Sequence, residues 1–189
     1  MTEAFIVVHD PGWSVRGAEL AAGLREALGP LAVRVEHIGS TAVPGMAAKP
    51  VFDLQVSVAD LVAAAGVFDG PLAGLGFVRL PYEGDHVPAG SGDDPGRWVK
   101  RFWARRGAGV VPVNLHCRVV GSPNERLALL FRDWFRAHPS AVPAYAAFKV
   151  SLAAAVGEDV GLYTDVKDPV VDLVVVVAEE WAAATGWVP

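Results

Sequence analysis

The stretch VEHIGSTAVPGMAAKPVFDLQV, residues 35–56, concentrates side chains capable of chemistry in a chain of 189 residues. A β-branched run ends in Gly39-Ser40-Thr41, a loop of small residues carries Lys49, and a second apolar run carries Asp53 and Gln55. A glycine-hydroxyl turn at a strand end can present backbone N–H groups and hydroxyls to a phosphate. Lys49 would add positive charge, with Pro50 fixing the chain beside it, unless it is simply a solvated loop cation. Asp53 is the candidate general base or metal ligand.

Side chains alternate along a strand. Over an expected strand Val51–Val58, Asp53, Gln55 and Ser57 therefore share a face opposite Phe52, Leu54, Val56 and Val58. Over a later strand, Val110–Val120, the residues Asn114, His116 and Arg118 lie together, opposite Val113, Leu115, Cys117 and Val119. Two polar faces are thus expected to line one cleft, with His116 as proton-transfer partner of Asp53. His37, beside the Gly-Ser turn, is a second candidate lining residue; for both histidines a structural role is the alternative. Arg101 is a further phosphate candidate, although hairpin cations are commonly solvated. Tyr145 with Lys149, and Tyr163 with Lys167, share a four-residue spacing that puts each pair on one helix face. These pairs line the polar cleft, or each lysine covers a packed ring.

The elements that must position these groups follow from periodicity and punctuation. Strands are expected at Phe5–Val8, Val33–Ile38, Val51–Val58 and Phe77–Leu80, with a hairpin of Arg97–Arg105 and Val110–Val120 around Arg106-Gly107-Ala108-Gly109. Helices are expected at Trp13–Leu28, stopped by Gly29-Pro30, and at Leu61–Leu75 with a break near Gly70-Pro71. Ser122, Pro123 and Glu125 have the spacing of an N-cap, a first-turn proline and a capping box. Helices at Ala141–Val156 and Leu162–Thr185 then make the last third helical. The Gly-, Pro-, Asp- and Ser-rich stretch from Pro81 to Gly96 is expected to be a mobile loop overhanging the cleft.

With 52% hydrophobic and 20% charged residues the chain can bury one sizeable core, and its length suits a single domain over residues 1–189. A net charge of −5 argues against general nucleic-acid affinity but leaves room for a small anion. Cys117 stands alone, and no Cys/His cluster has zinc spacing. The apolar stretch Pro169–Ala178 is interrupted by Asp172 and ended by Glu179-Glu180, short of a membrane span. A cytoplasmic location without membrane contact is the expectation.

The order of strand, Gly39-Ser40, loop and Asp53 resembles the signature of the nucleotidyltransferase superfamily. That resemblance implies a mixed β-sheet packed with helices (an α/β or α+β fold), a Gly-Ser turn on the nucleotide phosphates, and Mg²⁺ held by carboxylates on alternate strand positions. Gln55 occupies the second of those positions, and Asn114 and His116 stand where the third carboxylate is sought, so Mg²⁺ is expected to bind weakly. A fuller resemblance is to the GrpB-like family, some of whose members are fused behind dephospho-CoA kinase. It rests on His9-Asp10-Pro11-Gly12-Trp13, Glu36 to Thr41, Val43-Pro44-Gly45, Ala48-Lys49-Pro50, Asp53, Asn114-Leu115-His116, Phe131-Arg132-Asp133, Arg136 to Pro139, and the two Tyr/Lys pairs. It implies a cleft for a nucleotide or other phosphate-bearing small molecule, or an accessory module that keeps the fold without catalysis.

Overall fold

The computed structural model describes residues 6–189. In chain order the helices are α1 (Trp13–Leu28), α2 (Leu61–Gly74), α3 (Pro123–Ala137), α4 (Val142–Val156) and α5 (Val160–Thr185). The strands are β1 (Arg34–Ile38), β2 (Phe52–Val58), β3 (Phe77–Leu80), β4 (Arg101–Arg105) and β5 (Val113–Val119). They form one sheet in the order β1-β2-β5-β4-β3. Only β2 and β5 run parallel, while β1, β4 and β3 pair antiparallel to their neighbours. The expected mixed sheet with a helical last third is the fold.

One sheet face carries the main core. Leu54 and Val56 of β2, Leu115 and Cys117 of β5 and Trp103 of β4 pack there with Leu24 and Leu28 of α1 and Phe68 and Leu72 of α2. Fully burying one such side chain contributes about 1.5–3 kcal/mol, so alternating apolar positions on both central strands fix which face turns inward. On the other side, Phe131 and Phe135 of α3 meet Tyr145 of α4, together with Val43 and Met46 from the loop after the Gly-Ser turn. That loop is therefore pinned by its own apolar residues against the C-terminal helices.

Four details differ from the sequence expectation. Phe5 lies outside the described residues, and beyond it Val7 makes an isolated bridge to Ala48 rather than a strand. No break occurs at Gly70-Pro71: α2 runs through Pro71, capped by Asp60, whose carboxylate accepts from the Val62 and Ala63 amides. The turn that loses the proline's hydrogen bond lies at Val67, 52% exposed, where water can serve the carbonyl. Arg97 and Trp98 belong to a 3₁₀ turn, Pro95–Trp98, before β4 begins. Finally, α3 starts as expected at Pro123, but without a capping box. The Ser122 hydroxyl bonds back to the Val119 carbonyl, and Glu125 turns inward to Ser57 and Arg34.

The segment Pro139–Val156 has the length and apolarity of a membrane span by composition. In the fold it directs Val142, Tyr145, Lys149 and Leu152 inward, a single face at helical spacing.

Candidate functional site

Register decides which candidates meet. Asp53 of β2 lies opposite Asn114 of β5, and Gln55 opposite His116. All four point to the side of the sheet that faces α3, because their neighbours Leu54, Leu115 and Cys117 fill the core on the other side. Asn114 donates its Nδ2 to Asp53 Oδ1 at 2.7 Å. Its Oδ1 accepts from Arg106, which fixes the amide with nitrogen toward the carboxylate. His116 Nε2 stands 3.7 Å from Asp53 Oδ1, and Asp53 keeps 31% of its side-chain surface open. Asp53 and His116 therefore meet on one face of the sheet, as the alternation of polar residues implied.

The Gly-Ser turn lies directly against Asp53. Gly39 has φ +70°, and a Cβ there would come within 2.6 Å of Asp53 Oδ2, so only glycine allows the turn to lie against the carboxylate. Ser40 to Ala42 forms a single 3₁₀ turn. Into it reaches Lys149 of α4, whose Nζ donates to Ser40 Oγ at 2.8 Å. Lys149 is only 2% exposed. Burial, reinforced by the nearby Lys167 charge, pulls its amine down to about 7 despite the opposing attraction of Asp53. The Lys49 amine lies 4.5 Å above the Tyr163 ring. Burial lowers it to about 8, Asp53 again pulling the other way and Lys167 adding to the lowering. The Lys49 and Lys149 amines, from a loop and a helix, thus both feel the Asp53 charge and that of Lys167 on α5, which itself pairs with Asp168 at 2.9 Å.

For Asp53 itself, burial favours the neutral acid. The facing His116 imidazole and the Asn114 hydrogen bond outweigh this and hold the carboxyl below its ordinary range. His116 is pushed down by burial and by the Arg118 guanidinium, with Asp53 opposing.

Other candidates stand elsewhere. His37 pairs with Leu54, so its ring faces the core, in contact with Phe52 and directly under Gly17 of α1. There Nε2 bonds the Thr41 hydroxyl at 2.9 Å, burial brings the imidazole down to about 4, and Thr41 is itself 2% exposed. Neither His37 nor the Thr41 side chain lines the cleft; they brace the turn from behind. Arg101 pairs with Cys117 and so lies across the sheet from Asp53, near Glu83. Tyr145 is a packed ring among Phe131 and Phe135, with the Lys149 amine 5.3 Å from its centroid. The lysine does not snorkel to water: its amine ends inside.

Gln55 is the largest departure. The strand positions beyond Asp53 are roofed by α3, so Gln55 and Ser57 are 0% and 1% exposed. Gln55 Oε1 accepts from Arg118 Nη1 at 2.5 Å, and its Nε2 donates to the Glu125 carbonyl at 3.3 Å. Arg118 in turn donates to Asp85 Oδ2 at 2.8 Å, and Lys100 to Asp85 Oδ1 at 2.6 Å. Asp85 comes from the loop expected to be a mobile lid. That loop is instead tied down at Asp85 and again at Asp172 of α5, which accepts from the Ala89 amide and meets His86. Sequence reasoning missed Asp85 as a site-building residue because it sits in a stretch with no periodicity. Arg118 was visible as a neighbour of His116, but its role depends on that carboxylate.

A hollow of about 410 Å³ lies away from Asp53 and His116, between α1, the exposed edge of β1 and α3, with Arg25, Glu36 and Arg132 in its lining. Arg132 caps that edge by donating to the His37 carbonyl at 3.0 Å while pairing with Glu36 at 2.7 Å, so the strand is guarded against pairing with another.

The model of the family described as "GrpB protein" matches residues 3–176. The chain belongs to the GrpB family. The crystal structure of the conserved protein GrpB from Enterococcus faecalis superposes with a TM-score of 0.73 at 24% identity, over 93% of this chain and 98% of that one. A protein named dephospho-CoA kinase from Mycolicibacterium paratuberculosis is 36% identical over 201 residues, 97% of this chain and 48% of that protein. The chain thus spans about half the length of such curated relatives. The structure of the GLD-2/RNP-8 complex matches with a TM-score of 0.52 at 13% identity, over 78% of this chain and 45% of that chain, a likeness of fold alone. The fold of this GrpB chain is nucleotidyltransferase-like, an α+β arrangement around a mixed sheet.

Proposed function

We propose that this GrpB chain binds a phosphate-bearing small molecule, a nucleotide or a CoA-type ligand, at the end of the cleft where Ser40, Lys149, Lys49 and Lys167 meet Asp53. The observation that carries the reading is the Lys149 amine: it is buried, and its bonded partner is a serine hydroxyl rather than a carboxylate. Burying an ammonium without an anion is costly, so an amine in this position gains most from an anionic group delivered by a ligand. The Gly-Ser turn supplies the hydroxyl beside it, and Asp53 is placed to orient or deprotonate a hydroxyl of the bound molecule.

A thermal-shift series with nucleotides and CoA precursors tests this, since a ligand that binds the folded state alone must stabilise it. The expected result is stabilisation that disappears in Lys149→Met. A response retained in full by that variant would remove the site from consideration.

A second reading, an accessory module without catalysis, is favoured by Gln55: the position next to Asp53 on this face is neutral and sealed. The relatives named dephospho-CoA kinase, about twice as long as the matched region, suggest a companion domain that such a module would serve. Incubation with labelled nucleoside triphosphates separates the readings, because transfer that depends on Asp53 would eliminate the accessory one.

A further inference from the structure

The nucleotidyltransferase-like fold implies Mg²⁺ at Asp53, and the groups around that carboxylate do not fit it. Mg²⁺ takes anionic and neutral oxygens in near-octahedral geometry. What the strands direct at Asp53 is nitrogen bearing hydrogen. Asn114 presents Nδ2, because Arg106, a pure donor, holds its Oδ1. His116 has Nδ1 facing Arg118 Nη2 at 3.2 Å. A guanidinium has no lone pair to offer, so Nδ1 must accept and the ring hydrogen sits on Nε2, the atom facing Asp53.

The position where a second carboxylate would stand is Gln55, whose oxygen is taken by the same guanidinium. The acidic side chain that the loop brings to this network, Asp85, has Oδ1 on Lys100 and Oδ2 on Arg118 and Asn124. Among the described residues no three His, Cys, Asp or Glu side chains converge as a metal site. Arg118, 5% exposed, is thus a built-in cation bonded to Gln55, His116 and Asp85 at once, in the region where a metal would need its ligands.

We propose that the cleft holds its phosphate-bearing ligand without a divalent cation, the amines of Lys49, Lys149 and Lys167 neutralising the phosphates while Arg118 fills and seals the metal side. This rests on the phosphate-binding reading above. It adds that the charge which Mg²⁺ would bring is built into the chain and is supplied by nitrogen. The ligand class it selects is a free polyanion rather than a metal complex.

Titration calorimetry with inorganic pyrophosphate, once with metals chelated and once with excess Mg²⁺, decides the matter. The expected outcome is binding with metals chelated that Mg²⁺ leaves unchanged or weakens, since the cation competes for the pyrophosphate. Binding at least tenfold tighter with Mg²⁺ would overturn the inference and leave the phosphate site standing. No binding under either condition would overturn the phosphate site and this inference with it. A second readout needs no ligand: the paramagnetic resonance signal of free Mn²⁺ is expected to persist when the protein is added. Its loss in the wild type, with recovery in Asp53→Ala, would also overturn the proposal.

Discussion

The Lys149 amine of α4 donates to the Ser40 hydroxyl at 2.8 Å, joining the helical C-terminal third to the turn between β1 and β2. The amine titrates near 10.5 when unfolded and near 7 when folded. Between those values the unfolded chain holds more protons, so this lysine makes stability rise with pH across the window, its penalty being complete below it. Lys149→Met is expected to raise the Tm at neutral pH, by roughly 2–4 °C for each kcal/mol recovered in a chain of this size. It should also flatten the rise above pH 7. Thermal unfolding of both proteins from pH 6.5 to 9.5 checks this. A variant less stable at neutral pH would mean that the Ser40 bond outweighs the burial cost.

A second prediction concerns Asp85, which anchors Arg118 and Lys100 together. Burial would raise its carboxyl, yet the Arg118 guanidinium, with help from His116 and Lys100, holds it far below the ordinary range. Its contribution to stability is therefore present above the unfolded carboxylate value and is lost only as pH falls through strong acid. Asp85→Asn leaves two buried cations short of a partner and is expected to cost about 3–5 kcal/mol. Denaturant unfolding at pH 7 measures the loss. A change under about 1 kcal/mol would show that the loop is not held by this network.

The site was half legible in the sequence. The period-two alternation around Asp53 and His116 identified the shared face, because a strand buried on one side must alternate whatever its partners. Alternation does not say what covers the polar face. α3 lays Glu125 over Gln55 and Ser57 and turns a supposed cleft floor into an interior hydrogen-bond network. His37 was misplaced for a related reason: proximity in sequence to the Gly-Ser turn suggested the cleft, whereas its parity with Val35 sends it to the core. The lysine pairs were found by spacing. That Lys149 would end buried on Ser40 depends on how α4 packs, which no local pattern states.

The packing of His37 leads to a third prediction. A Cβ at Gly17 would fall 2.0 Å from His37 Nδ1, so α1 crosses the sheet at a distance only glycine permits there. Mid-helix Gly→Ala changes ordinarily stabilise by about 0.5–1 kcal/mol. Gly17→Ala is expected to do the reverse, costing about 1–3 kcal/mol through forced displacement of the ring. Gly23→Ala, on the same helix with nothing within 4 Å, is the control and should be neutral or stabilising. Equal responses of the two variants would discard the contact.

The last prediction separates backbone strain from side-chain contact at the turn. Gly39 has φ +70° and ψ −170°, and Gly29 has nearly the same conformation at φ +65° and ψ −156°. Both lie in a region open almost only to glycine, so alanine at either place costs on the order of 1–3 kcal/mol. Their surroundings differ. A Cβ at Gly29 meets nothing within 4 Å, whereas one at Gly39 meets Asp53 Oδ2 at 2.6 Å and the Asp53 Cβ at 2.9 Å. Gly39→Ala should therefore lose more stability than Gly29→Ala, by roughly 1–3 kcal/mol of added overpacking, and the excess should shrink when Asp53→Ala is combined with it. Ligand response supplies the second readout: pyrophosphate should still stabilise Gly29→Ala and should no longer stabilise Gly39→Ala, whose turn is pushed off the carboxylate and away from the Lys149 amine. If both variants lost equal stability and kept equal ligand response, the close approach of turn and carboxylate would have no part in building the site.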